Sequence, residues 1–262
     1  MPEMPLPPRG TGRIVHGRSN LYGYGVGILM IEGYFPRLPG AIGNATTFPF
    51  PVLHRIVKGA TSAVTVRELS ALPPDSDEYR AAVAPWIAGA QALEEDGVKA
   101  ITTSCGFSAI FQRELAAAVN IPVFASSLLL APLISRMLKP GRLVGVISAD
   151  GGSLGPRHLI GAGVDPASIA VVGLEGCPHF EETTYADHHD LNIDLLEAEV
   201  VSVATRMVDD DPRIGAVLLE CSLLPPFAAA VQAAVRLPVF DFTHLVNMVQ
   251  GAVVRQPFNG FL

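Results

Sequence analysis

The stretch AITTSCGFSAIFQRELAAAVNIPVF, residues 100–124, returns later in the chain as AVLLECSLLPPFAAAVQAAVRLPVF, residues 216–240. Laid over each other without a gap, the copies superpose Ala100 on Ala216, Cys105 on Cys221, Phe111 on Phe227, Val119 on Val235 and Pro122 on Pro238. Each copy opens with a short apolar run ending at a cysteine, continues as an alanine-rich stretch of helical pattern, and closes on a β-type run begun by proline. The order is strand, cysteine, helix, strand, twice over. Two of the three cysteines in the chain therefore share one structural position. That position is the carboxyl end of a strand, where open α/β sheets bind ligands.

The echo extends outward to whole half-chains. Residues 25–31 read as a buried strand ending at Glu32-Gly33, and residues 143–148 as a strand ending at Asp150-Gly151, so that Gly27 matches Gly145 and Glu32 matches Asp150. Residues 34–51, with Pro36, Pro39, Gly40, Gly43, Pro49 and Pro51, form a long irregular loop of the kind that is more often functional than idle. Residues 62–68 read as a second strand. Residues 78–96 read as a helix that carries the sole tryptophan, Trp86, and is stopped by Gly97. A helix over 129–138 is broken at Pro140-Gly141.

In the second half the pattern predicts a helix over 156–162, a strand over 169–174 and a helix over 191–208 that stops at a solvated run of aspartates. A last helix spans 244–255. Strand–helix alternation means parallel sheets covered on both faces. The expected fold is α/β: two pseudo-symmetric three-layer lobes with mainly parallel sheets and the active site in the cleft between them. The first lobe is expected to comprise residues 1–140 (1–24 irregular) and 241–262, the second residues 141–240, with the last helix packing back on the first.

Composition narrows the function classes. At 262 residues, folding buries roughly 70–75% of the unfolded surface, enough for a core without disulfide staples. The net charge is −7 and the basic residues are scattered, which argues against nucleic acid as a partner. No apolar run reaches the roughly 18 residues of a membrane span. The first 25 residues are rich in Pro, Gly and Arg and lack the apolar core of a signal peptide, so a cytoplasmic, reducing location is expected. Cysteines are then thiols, and Cys177, outside the repeat, reads as structural.

A cysteine between a strand end and a helix start lies near unpaired backbone N–H groups and the positive end of the helix dipole, which favours thiolate. Such a thiol is acidic enough to act as a base. A free cysteine also packs well as a small hydrophobe, but its survival at both repeat positions in otherwise divergent contexts favours chemistry. If the lobes face each other, Cys105 and Cys221 stand on opposite sides of one crevice, where one takes a proton from a carbon and the other returns one to the opposite face. The N–H groups of Gly106, Phe107, Ser222 and Leu223, with the hydroxyls of Thr103, Ser104 and Ser222, are placed to hold a carboxylate or carbonyl. The same hydroxyls suit ordinary helix caps. Glu32 and Asp150 end equivalent strands and either poise the thiols, bind an amino group or serve as capping residues.

Other chemistries fit less well. Gly23 to Gly27 precedes its strand, so it is no dinucleotide fingerprint, and P-loop and His-Glu-x-x-His patterns are absent. Lys58, Lys99 and Lys139 fall away from the ligand edge, which leaves no Schiff-base lysine. His188-His189 with Asp190 reads as a solvated loop rather than a metal site. No metal and no cofactor is expected. Gly151 to Gly155 formally fits the elbow of a serine hydrolase, with Ser153 as nucleophile and His244 downstream. Too many residues separate Ser153 from its strand for that geometry.

The chain resembles the aspartate/glutamate/hydantoin racemase superfamily, through Thr103-Ser104-Cys105-Gly106-Phe107 and Glu220-Cys221-Ser222-Leu223-Leu224-Pro225. The resemblance implies two α/β lobes, Cys105 and Cys221 as catalytic residues, and a cofactor-independent racemase or epimerase. Such an enzyme inverts a carbon next to a carboxylate or carbonyl of an amino acid, hydantoin or related small acid by a two-base mechanism. Gly106-Phe107 stands where glutamate racemases have Asn-Thr, and Ser222-Leu223 where they have Thr-His. The small residue after the first cysteine is closer to the hydantoin racemase branch. The remaining alternatives are a decarboxylase or cis–trans isomerase of the same fold, or a non-catalytic two-lobed protein that binds metabolites. The expected partner is a small molecule, with homo-oligomerisation left open.

Overall fold

A computed structural model of the protein describes residues 17, 19–74, 76–186 and 189–260. Most of the irregular N-terminal segment, and His188, lie outside the described residues. The first sheet contains β1 (Val26–Ile31), β2 (Val52–Val57), β3 (Ala100–Thr103) and β4 (Val123–Phe124) in the order β2-β1-β3-β4. The second contains β5 (Leu143–Ser148), β6 (Ile169–Gly173), β7 (Ile214–Leu219) and β8 (Val239–Phe240) in the order β6-β5-β7-β8. All strand pairs are parallel. The strand orders are the same in the two halves, so the duplication read in the sequence is a duplication of topology.

Helices fill the crossovers. They are α1 (Leu69–Ala71), which continues a π-helical turn at Val64–Glu68, α2 (Asp77–Glu95), α3 (Gln112–Ala118) and α4 (Ala131–Met137). The second half adds α5 (Pro156–Ala162), α6 (Pro178–Thr184), α7 (Ile193–Asp210) and α8 (Ala228–Val235). The last helix, α9 (Phe242–Val253), is capped by Asp241, which accepts the Thr243 N–H at 2.8 Å, and it packs on β1 and β3. Among the described residues no helix is long and apolar enough to cross a membrane.

The central strands β1 and β3 are buried along their whole length, as strands covered on both faces must be. The matched glycines have matched tasks. A side chain at Gly27 would run into Leu93 of α2, and one at Gly145 into Met207 of α7, so each glycine lets the long helix of its half lie close on the sheet. Trp86 on α2 is buried against Phe111, with ring centroids 5.2 Å apart. Gly97 adopts φ +92° and ends the helix.

Two expectations are corrected. Residues 62–68 are not a strand; β2 lies earlier, directly after the proline-rich loop, and pairs with all of β1. The β-branched residues that suggested a strand are buried as a helical face: Thr65 and Val66 are 0% and 3% exposed. The short helix α6 was not anticipated, although Pro178 occupies its first turn, a common start signal.

The lobes meet where α5 of the second half lies on the 3-10 turn Gly106–Phe111 of the first. A side chain on Gly161 of α5 would collide with the Ala109 carbonyl, so close approach of the halves requires glycine there. Gly161→Ala should therefore destabilise the protein by about 1–3 kcal/mol through overpacking. A denaturant titration with an unchanged midpoint would show that the lobes do not meet this closely.

Candidate active site

Each cysteine turn leaves its sheet at the same rung. Ser104 N–H donates to Leu29 O at 2.8 Å, and Glu220 N–H donates to Ile147 O at 2.9 Å. The turns then touch. Ser222 Oγ donates to Ser104 O at 2.6 Å, and Ser127 Oγ donates to Glu220 O at 3.2 Å. Cys105 and Cys221, 7% and 9% exposed, line one cavity together with Ile31, Val66, Phe107 and Leu223.

Among the residues singled out from the sequence, Ser104, Gly106, Phe107, Ser222 and Leu223 also line this cavity. Their hydroxyls are committed to the frame: Ser104 Oγ accepts the Ile31 N–H at 2.9 Å, while Ser222 Oγ makes the contact between the turns. Thr103 is buried behind the turn, its Oγ1 2.8 Å from Ala125 O and accepting the Cys105 N–H at 3.2 Å. It is a brace for the loop and does not line the cavity.

The two strand-end carboxylates stand outside the lining. Glu32 is held by Lys58 at 2.7 Å and by the Gly59 N–H at 2.8 Å. Asp150 faces Arg67 Nε at 2.9 Å and accepts the Ser153 N–H at 2.9 Å. Each has found a cation and a backbone donor, Glu32 within its own half and Asp150 through Arg67 reaching over from the first lobe, which is why neither turns inward. The hydrolase elbow also fails. Ser153 belongs to the turn that Asp150 organises, whereas His244 pairs with Asp241 at 3.1 Å at the start of α9.

Arg67, Tyr185 and Glu220 escaped the sequence reading. Arg67, on the π-helical turn of the first lobe, stacks over Tyr185 at 3.9 Å and lies 3.6 Å from Glu181, so it ties the first lobe to the end of α6. Glu220 is fully buried; its Oε2 accepts from Ser148 Oγ at 2.9 Å, and its Oε1 has no hydrogen-bond partner among the described residues. Among the described residues no group of three or more His, Cys, Asp or Glu is arranged to hold a metal ion.

The electrostatics reverse one expectation. Burial, then the Glu220 carboxylate, then Cys221 push the Cys105 thiol well above its ordinary range, against the pull of the Phe107 and Ser108 N–H groups. Burial and Glu220 push Cys221 up to about 12, opposed by the Leu223 N–H and the Arg37 guanidinium. The thiols are thus neutral rather than thiolate. The turns after them begin as short 3-10 segments, Gly106–Phe111 and Pro225–Phe227, whose few N–H groups do not offset dehydration. Burial also pushes Glu220 up to about 7, in spite of the Ser148 hydroxyl and the Ala149 N–H.

Iodoacetamide at pH 7 should therefore modify Cys105 and Cys221 far more slowly than an unperturbed thiol, with rates that keep climbing as pH rises beyond 9. Mass spectrometry of timed samples checks this. Alkylation of either at the free-thiol rate would mean that the thiols are acidic after all.

Residues 44–247 match the Asp/Glu/Hydantoin racemase family model. The chain is 30% identical over 222 residues to a dimethylsulfoniopropionate lyase of Durusdinium sp. clade D, covering 82% of this chain and 70% of that protein. It is 31% identical over 241 residues to dimethylsulfoniopropionate lyase 6 of Emiliania huxleyi, covering 88% of this chain and 60% of that one. Its fold is similar to the crystal structure of arylmalonate decarboxylase, with a TM-score of 0.54 at 14% identity, covering 88% of this chain and 94% of the other. With paired cysteine turns on matched lobes and a family match over most of its length, the chain belongs to the Asp/Glu/hydantoin racemase family.

Proposed function

We propose that this protein is a cofactor-independent lyase acting on a small sulfonium carboxylate, dimethylsulfoniopropionate. A cysteine removes a proton from the carbon next to the carboxylate, the electron pair closes a C=C bond, and the C–S bond breaks with its pair leaving on sulfur. The zwitterion gives neutral dimethyl sulfide, the acrylate anion and one proton, which the cysteine releases to solvent. Backbone N–H groups of the cysteine turns are the donors available to the carboxylate as charge builds on it.

The observation that carries this reading is the make-up of the cavity: two thiols from opposite lobes, apolar walls at Ile31, Val66, Phe107 and Leu223, and no lysine or arginine among the described residues of the lining. A second carboxylate, as in aspartate, glutamate or a malonate, meets the Glu220 carboxylate and no cation among the described lining residues. One carboxylate and an apolar onium end suit it better. The names of the two curated relatives support the same direction. Inversion by two bases, the expectation drawn from the duplicated cysteines, uses the same first step. Elimination from a methylene needs only one base and leaves no stereocentre to invert, so it stands closer to the decarboxylase alternative, which also ends in bond cleavage.

Cys221 is the base in this reading: the Arg37 guanidinium, although outweighed by burial and Glu220, acts on its thiol in the direction of thiolate. Headspace gas chromatography should detect dimethyl sulfide when the wild type is given dimethylsulfoniopropionate. Cys221→Ser should lower kcat/KM by about 100-fold or more. Because the thiols lie above their ordinary range and the base must be deprotonated, kcat/KM should rise with pH from about 6 to 9 without a plateau. No dimethyl sulfide from the wild type, together with α-hydrogen exchange in amino acids or hydantoins, would return the protein to the racemases.

A further inference from the structure

The repeat that pairs the cysteines also pairs Ser104 with Glu220. In the first half the Ser104 hydroxyl accepts the N–H of Ile31, at the end of β1, at 2.9 Å. In the second half the Glu220 carboxylate accepts the Ser148 hydroxyl at 2.9 Å and feels the corresponding N–H, that of Ala149, which favours its charged form. A hydroxyl is therefore sufficient for the structural bond. The carboxylate exceeds it by one oxygen, Oε1, which is buried and has no partner among the described residues. That oxygen stands over Gly106, where any side chain would collide with it, directly beside the residue that follows Cys105. Burying a carboxylate oxygen without a partner is unfavourable, because its hydration is lost and nothing replaces it. A cheaper residue does the structural work at the equivalent position of the same chain, so the surplus oxygen has to act on something that enters the cavity.

We propose that Glu220 is the specificity-determining residue of this site: it selects carboxylates that also carry a fixed positive charge, such as a dimethylsulfonium or trimethylammonium group, over neutral isosteres and dicarboxylates. The inference rests on the lyase reading above and names the feature of the substrate that this site reads. It also links binding to chemistry. The field of Glu220 is one of the influences that keep both thiols protonated, and a cation lodged beside it offsets that field, so the bound substrate favours its own base.

The groups facing Glu220 are Cys105 from the first lobe, Cys221 beside it in sequence and Ser148 on β5, with Arg37 acting on Cys221. Tyr185, Asp150 and Arg67 lie within electrostatic reach of the thiols or of one another. The thiols and the Tyr185 phenol are raised and Asp150 is lowered, which leaves Glu220 as the member of this set that titrates near neutrality.

Trimethylammoniopropionate and β-tert-butylpropionate have the same shape and the same carboxylate and differ in one charge, so their affinity ratio reads the selection alone. By calorimetry at about pH 8 the wild type should bind the cation at least about ten-fold more tightly, and Glu220→Gln, shown to be folded by circular dichroism, should bring the ratio to within about three-fold. In the wild type the ratio should grow between about pH 6.5 and 8.5, as Glu220 gains its charge while both ligands stay almost wholly ionised. This pH series decides the matter if the Gln variant does not fold. The proposal is overturned by a wild type that binds no cation at millimolar concentration or shows no preference, by a Gln variant that keeps the preference, or by a ratio flat with pH. The two readings fail separately. Cation preference without dimethyl sulfide release sinks the lyase reading, and release without preference sinks only the role of Glu220.

Discussion

A single buried contact, the Ser222 hydroxyl on the Ser104 carbonyl at 2.6 Å, joins the two turns on which the candidate chemistry sits. Its net worth is only about 0.5–1.5 kcal/mol, but losing it leaves a buried carbonyl unpaired at a cost of about 1–3 kcal/mol. Because both turns leave their sheets at the same rung, this one contact sets the placement of both thiols at once. The residues around it have little freedom: Gly106 has no room for a side chain beneath Glu220, and Gly161 none beneath Ala109. The site is thus held by close approach of backbones from two halves of the chain, with α5 pressing on the first cysteine turn.

Much of this frame was legible in the sequence because duplication repeats constraints as well as residues. Gly27 and Gly145 matched in the alignment and each proved to admit a long helix onto its sheet. The shared spacing from cysteine to proline gave matching strands β4 and β8. Misreadings arose where composition had a second cause. Thr65 and Val66 are β-branched because they are packed in the interior, and the chain there is a π-helical turn. Glu32 and Asp150 matched as strand ends, yet what each carboxylate meets, Lys58 or Arg67, comes from segments where the halves differ.

The acidity of the thiols was misjudged for another reason. Sequence neighbours reveal nearby N–H donors, and those donors are present; dehydration is imposed by the opposite lobe, which no local pattern records. Glu220 was visible in the motif beside Cys221 and passed over. The signal that could have found it is the place where the repeat fails, a charged residue aligned with a serine inside a buried turn. In a duplicated fold the symmetric positions describe the scaffold, and the broken ones point to what the scaffold holds.

Keeping both sulfurs protonated in the cleft has a further consequence for the chemical lifetime of the protein. Peroxides oxidise thiolates far faster than thiols, so a resting site of this kind resists sulfenic acid formation. The acrylate of the proposed reaction is itself an electrophile that adds to thiolates. A cleft that ionises its sulfur only in the company of a cation returns to the unreactive form as the sulfonium group disappears, and so shields the catalyst from alkylation by its own product.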